Sequence, residues 1–490
     1  MRNVSGVLGL LRLTKNSLAS INQIPPEVLS LIAQNCDTDE DLLTLTHVCH
    51  SWREIFISHA SLWTNLDCPV VDKTRVYLER SKTSLLRICL EEQWLNDAFL
   101  LTVPHIGRFE SFSLSGPLID IIEPIEHLKS PSPLLKALSL AVTDEDGVYL
   151  PNTIFGGGLP SLYKLHFVGI VPDLDKFGNM PNLRTLSLSN VPPDLISVTE
   201  LLDFFECAPL LREILLEYAF PKSSNAPLGR IVPLPNLKHF TISAPPPHTI
   251  LMNHLLILTG ASINQKVTFH DTGSPISSLI PKDFDNLKHL SNITSITLDF
   301  TLTLYLRFEG PSGVHCISSD WLPQGPFPTS LGCSVLESLD VLSVSVVEML
   351  QIEQWQSTIS STSVEESSIY RTFHCMDNLR ALTLTACLSC PFFHALNPRR
   401  NASGVVICPK LKELVVYTWT EERNPISELL GMAKEQASRG TKLETVVIAG
   451  AEELLPATVL EVRTYISRVE YIRFRTPPEV STSDESDSWV

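Results

Sequence analysis

Between residues 80 and 475 one arrangement of apolar and polar positions keeps returning. It reads "SPLLKALSL" at 132–140, "PSLYKLHF" at 160–167, "PNLRTLSL" at 181–188, "PLLREILL" at 209–216, "PNLKHFTI" at 235–242, "DNLRALTL" at 377–384 and "PKLKELVV" at 409–416. The shared core is L-x-x-L-x-L, which an aliphatic chain also produces by accident. Two further terms make it specific. A proline stands two places before the first apolar residue at Pro133, Pro160, Pro181, Pro209, Pro235 and Pro409. A basic residue often follows that apolar position, as at Lys136, Arg184, Arg212, Lys238, Arg380 and Lys412. Weaker copies start at Leu85, Phe109, Ile293, Leu336, Leu443 and Val469. The alternation at the end of each copy predicts a short strand with one face buried, and the residues between copies form a return segment.

From Leu85 through Phe109, Leu135, Leu162, Leu183, Leu211 and Leu237 the steps are 24, 26, 27, 21, 28 and 26 residues. That is the period of a leucine-rich repeat, one strand and one return per unit. A single unit cannot bury its own leucines, so stacking predicts a curved parallel sheet over a continuous core. Ile293 follows Leu237 by 56 residues, and "NQKVTF" (264–269) fills the middle position poorly. "EGPSGVHCISSDWLPQGPFPTSLGC" (309–333) and "QSTISSTSVEESS" (356–368) are rich in Gly, Pro or Ser and read as loops. "DLISVTELLDFFECAP" (194–209) reads as a partly helical return, and the acidic, Pro-broken tail over 476–490 as disordered.

Ahead of the array the period changes to that of helices. Pro25-Pro26 suit a helix entry, so a helix is expected to start near Glu27 with Val28, Leu29, Ile32 and Cys36 on one face. "CDTDEDL" breaks it, and Thr38 with Asp41 forms a capping-box variant. A second helix then carries Leu42, Leu45, Cys49, Trp52 and Phe56 in one stripe, with His47 and His50 on its polar side. The stretch "LTHVCHSWREIFISHASLW" (45–63) is thus read as a packing surface: a zinc ion needs about four converging ligands, and Cys49 and these histidines diverge.

"IPPEVLSLI", an acidic break, then "DLLTLTHVCHSWREI" resembles the F-box, and "SHASLWTNLDC" is similar to the ending of F-box-like proteins abundant in mushroom-forming fungi. The resemblance covers residues 21–68 and implies a small all-α bundle that docks on the Skp adaptor, and through it a cullin, in a ubiquitin ligase. Ile24, Pro25, Leu29 and Ile32, with Leu42, Leu45, Val48, Cys49 and Trp52, match the motif's apolar signature and are expected either to face the adaptor or to form the bundle's own core. Ile24 stands where the family usually has Leu. The expected order is a lead-in over 1–20, the F-box over 21–68, an irregular leucine-rich-repeat-like α/β solenoid over 80–475 of the degenerate kind that follows fungal F-boxes, and the tail.

The chain has 490 residues and a net charge of −17, with 44% hydrophobic and 19% charged residues. That acidity argues against nucleic acid or an anionic membrane as the main partner. No apolar run is long enough to cross a bilayer. The eleven cysteines follow no disulfide framework, so reduced thiols in the cytoplasm or nucleus are expected. The N-terminus is basic and lacks acids until Glu27, a transit-peptide composition, yet it has no signal-peptide cleavage pattern and runs straight into the helical motif. We read it as a helical lead-in.

Cys375, Cys387, Cys390 and His394 invite zinc, but a second knuckle pair is missing and Cys387 falls at the turn-closing position of a repeat. No nucleophile elbow, phosphate loop or dinucleotide fingerprint is present. The expectation is a binding protein without catalysis, cofactor or metal: the substrate receptor of a ubiquitin ligase, or an F-box scaffold with no ubiquitylation target. Side chains between the core leucines point out of the sheet. Ser113, Ser139, Ser187, Thr241, Thr297 and Thr383 are small and polar, whereas Val415, Tyr417, Trp419 and Val447 form a candidate surface for an unknown protein target. The competing reading buries those four under a loop.

Overall fold

The computed structural model describes residues 18–36, 38–67, 70–90, 97–144, 148–149, 154–173, 180–222, 229–244, 249–267, 286–299, 305–319, 344–353, 366–401, 404–418, 426–450 and 456–473, with positions 7, 11, 14 and 15. The tail over 476–490, Leu336 and Trp419 lie outside the described residues, as does most of the lead-in. The chain is mixed α/β and forms two compact units, one of residues 1–195 with 207–209, the other of 196–206 with 210–490.

The first unit opens with helices α1 (Pro26–Ala33), α2 (Asp39–Val48) and α3 (His50–Ser58). The chain then enters a parallel ladder: β1 (Asn65–Leu66), β2 (Leu86–Leu90), β3 (Phe109–Gly116), β4 (Ala137–Val142), β5 (Lys164–Val168) and β6 (Thr185–Ser197), each paired with the next. The recurring sequence terms now have physical causes. In "SPLLK" the amide of Leu135 donates to Ser132 O at 3.2 Å, and Leu162 and Leu183 repeat this bond to Leu159 and Met180. Pro133, Pro160 and Pro181 therefore sit at the second position of a tight turn, where the ring's fixed φ suits the backbone. In two units the residue before the core leucine bridges to the previous turn: Ser161 Oγ donates to Pro133 O at 2.6 Å, and Asn182 Nδ2 to Pro160 O at 2.9 Å. Some of the basic residues after the core leucine face acids in the same row, as Lys136 does Glu110 at 2.8 Å.

The second unit continues the same logic with β7 (Glu213–Lys222), β8 (His239–Ala244) and β9 (Ala261–Val267), and later β10 (Ser295–Asp299), β11 (Tyr305–Gly310), β12 (Gly313–Ser319), β13 (Met349–Glu353), β14 (Ala381–Thr385), β15 (Glu413–Thr418), β16 (Thr445–Gly450) and β17 (Arg468–Arg473). Its helical return Val198–Cys207 is closed by a capping box: Ser197 N donates to Glu200 Oε2 at 2.6 Å, and Glu200 N to Ser197 Oγ at 3.1 Å.

Two sequence expectations are corrected. The start of "EGPSGVHCISSDW" is no loop but strand, because β11 and β12 form an antiparallel hairpin. That hairpin pairs with β10 on one side and, through β12, in parallel with β9 on the other. β10 pairs in parallel with β13, which is built on Val347, Leu350 and Ile352, and the copy expected from Leu336 lies outside the described residues. In the last unit Ile466, fully buried, takes the first core position, and Val469 pairs with Val446 as the second.

The inserted hairpin is seated tightly. Gly313 has φ 145°, and a Cβ there would lie 2.5 Å from Ala261 O and 2.9 Å from His289 Cβ. Beneath it His289 Nε2 lies 3.1 Å from His315 Nδ1, and His315 Nε2 lies 3.0 Å from Gln265 Oε1. Both rings are 1% exposed and stack at 5.4 Å. If Gln265 accepts, His315 must donate to it and His289 to His315, which leaves His289 Nδ1 as a buried acceptor without a partner. Burial lowers the His289 pKa to about 4 and pushes His315 down as well, with the His289 ring a lesser cause. Above pH 6.5 the imidazoles are neutral folded and unfolded. Below it the unfolded chain takes protons first, so stability falls as pH drops from 6.5 towards 4, by about 3 kcal/mol for His289 alone. Urea titrations at pH 7 and at pH 4.5 should show this loss, and it should shrink in His289→Asn. An unchanged difference in that variant would mean that the pair is not its source.

Candidate functional site

Two surfaces carry the residues that the sequence singles out. The first is the N-terminal helical segment. Pro26 occupies the first turn of α1, where its missing N–H costs nothing. Thr38 Oγ1 accepts from Asp41 N at 3.1 Å and opens α2 as expected. The expected single helix through Trp52 is instead two helices. Cys49, with φ −158° and ψ 171°, is extended, and its Sγ accepts from Trp52 N at 3.5 Å to cap α3. The break turns the apolar stripe into two shorter faces.

Those faces sort the motif residues. Leu29, Leu42, Trp52 and Phe56 are buried. The Trp52 indole donates to Asn22 Oδ1 at 2.6 Å, and its ring meets Phe56 edge-on at 5.5 Å. Ile24, Leu45 and Cys49 are half-buried, and Pro25 is exposed. Ile32 and Val48 are 51% and 57% exposed. The α1 face predicted to hold Val28, Leu29 and Ile32 together is split, because Leu29 turns inward with Ser30 and Ala33 while Val28, Leu31 and Ile32 remain in solvent. At spacing i, i+3, i+4 these three form one unpartnered apolar row on the helix. Leu31 and, on α2, Leu43 are exposed large apolar residues that the expected stripes leave out.

The segment "SHASLW" locks these helices to the next one, Val71–Ser81. Trp63 is fully buried, and its indole donates to Phe56 O at 2.8 Å. From Val71–Ser81, Tyr77 meets the Trp63 ring at 5.0 Å and the Arg80 guanidinium lies 4.2 Å over it.

The second surface is the outward face of the parallel strands in the second unit. Val415, Tyr417 and Val447 stand half-buried on it, beside fully buried Leu414, Val416 and Val446 on the other side. In register the row reads Thr297, Gln351, Thr383, Val415 and Val447. Partial burial, and secondarily the charge of Glu353, raises the Tyr417 phenol pKa. In the first unit the corresponding row holds Ser113, Ser139, His166 and Ser187, and Ser187 is buried against His166 Nδ1 at 2.8 Å.

β14 runs directly into the helix Ala386–Leu396, so Cys387 and Cys390 stand in its first turns rather than at a turn-closing position. His394 of that helix lies 3.3 Å from Glu428 Oε2. Among the described residues no group of three or more His, Cys, Asp or Glu is placed to hold a metal ion. No described helix is long and apolar enough to cross a membrane.

No curated protein matches this chain. Residues 21–69 match the family described as F-box-like, and the segment from the lead-in turn through α3 and Trp63 is therefore an F-box-like domain.

Proposed function

We propose that this chain is the substrate-receptor subunit of a Skp–cullin–F-box ubiquitin ligase: its F-box-like domain docks the Skp adaptor and its repeat strands hold a protein target. It acts in the cytoplasm or nucleus and catalyses nothing itself. The observation that carries this reading is the exposed row Val28, Leu31 and Ile32 on α1, inside the matched segment. A helix offering apolar anchors at i, i+3 and i+4 suits burial against a partner. Leu29, Leu42 and Trp52 support that row from below, as bundle core.

Val28→Asp/Ile32→Asp should leave the fold intact, because both side chains are exposed, while placing charges in an apolar contact. Capture of the full-length chain by immobilised Skp adaptor should fall by roughly 100-fold or more. Retained capture by a folded double variant would sink the adaptor reading. Leu29→Asp is a poor test, since Leu29 is 2% exposed and its loss would unfold the bundle.

The receptor role is separable. Tyr417→Ala should keep the adaptor and the fold but lose other co-purifying proteins, and at least one of those should accumulate when the chain is deleted from cells. If every partner survives the substitution, the face around Tyr417 is not the target surface.

A further inference from the structure

The residues that lead into the strands meet the first outward residue of the preceding strand at a fixed offset. Arg87 is that outward residue on β2, and Glu110 directly precedes Ser111, its register partner on β3. The two form an ion pair at 3.0 Å, and Lys136 adds a second cation to Glu110 at 2.8 Å. Glu413 and Glu444 stand in the same relation on β15 and β16, and there Lys412 lies 2.5 Å from Glu444. On β5 and β6 the same offset joins Lys164 with Arg184. Lys164 is the register partner of Thr185, and the Arg184 amide donates to Tyr163 O at 2.8 Å, so two cations start adjacent strands side by side. Both are exposed. Among the described residues no carboxylate forms an ion pair with either of them.

The neighbouring outward positions supply no acid either. They hold Ala137 and Ser139 on β4, and Thr185 and Ser187 on β6. Tyr163, 43% exposed, stands between Lys136 and Arg184 in the leading row. His166 follows Lys164 on the outward side of β5, with its Nδ1 2.8 Å from Ser187 Oγ. Burial, and secondarily the charge of Lys164, lowers the His166 pKa. When the Ser187 hydroxyl donates to Nδ1, the neutral ring carries its proton on Nε2 and adds a donor to the same face.

We propose that Lys164 and Arg184 receive an acidic segment of a protein partner, with its Asp or Glu carboxylates on the two cations and a neighbouring apolar side chain against Tyr163. The proposal rests on the repeat strands being a receptor surface, and deepens that reading by naming the chemistry of one stretch of the target. The net charge of −17 does not oppose this at close range, because exposed charges more than about 8 Å away are largely screened at physiological salt. The alternatives fit less well. A basic segment would meet two like charges, and an apolar one would bury both cations unpaired. Nucleic acid draws its affinity from many phosphate contacts, which two cations on an acidic protein do not provide. A carboxylate offsets the repulsion between the paired cations, as Lys412 does for Glu444 beside Glu413.

The test uses the full-length chain and a random-peptide library displayed on phage. Panning should enrich peptides with clustered Asp or Glu beside an apolar residue, and binding of the same peptides in solution should weaken with salt. Lys164→Gln/Arg184→Gln should bind them at least roughly tenfold more weakly. It should also melt at the same or a higher temperature, since both side chains are exposed and their mutual repulsion is gone. Lys164→Arg keeps the charge and should bind like the parent. The proposal is overturned if no peptide is enriched, if the enriched peptides are basic or neutral, if the double variant binds acidic peptides as well as the parent, or if it melts at a lower temperature. Basic or neutral peptides whose binding is lost in Tyr417→Ala would reject the acidic segment while leaving the strands as a receptor surface.

Discussion

One backbone hydrogen bond, repeated just before each strand, sets the register on which this molecule depends. The residue after the first core apolar position donates its amide to the carbonyl of the equivalent residue in the neighbouring unit: Lys136 to Glu110 at 2.7 Å, Tyr163 to Lys136 and Arg184 to Tyr163 at 2.8 Å. In the second unit Lys238 to Arg212, Arg380 to Glu348 and Lys412 to Arg380 make the same bond. Because the turn before it fixes the approach and the ladder after it is parallel, each core leucine lands on its counterpart. A slip of one residue would turn every inward leucine out to water. Burying one aliphatic side chain is worth about 2 kcal/mol, so a register shared by many units is strongly specified.

The same rung ties the F-box-like domain to the repeats. Arg87 N donates to Thr64 O at 2.8 Å, and β1 pairs with β2. Trp63, one residue earlier, completes its surroundings with Tyr77 and Arg80, which lie beyond the matched segment. The helical bundle therefore ends inside the sheet rather than on a linker. Its exposed apolar residues include the row on α1, together with Leu43 and Val48 of α2.

The inserted hairpin shows how far the array tolerates departure. β11 runs antiparallel, yet β12 restores the parallel sense against β9, so both edges of the insertion satisfy their backbone groups. The cost appears in its seat, where Gly313 meets the backbone of Ala261 and two neutral histidines replace the aliphatic core. Gln265 and His315 hold positions that leucine or isoleucine occupies in the regular units, which is why "NQKVTF" read as a poor copy.

How much of this was legible depends on the range of each interaction. The turn proline, the alternation within a strand and the Thr38 cap are set within a few residues, and the sequence by itself determined them. It also determined the mixed α/β class, because a period of about 25 residues with one apolar strand face leaves stacking as the only way to bury leucine. Tertiary structure decided the rest. Whether Leu29 or Ile32 turns inward depends on where α3 lies against α1, and the break at Cys49 alters that packing. The strand of "GVHCISS" is hidden in sequence because one of its inward side chains is a histidine, acceptable there because it hydrogen-bonds Gln265 of β9 and His289. The juxtaposition of Asp299 with Glu353 is invisible locally, since 53 positions separate residues that the register makes neighbours. Sequence specifies what each strand can bury, but which strand stands beside it is settled only when all of them compete for the same backbone hydrogen bonds.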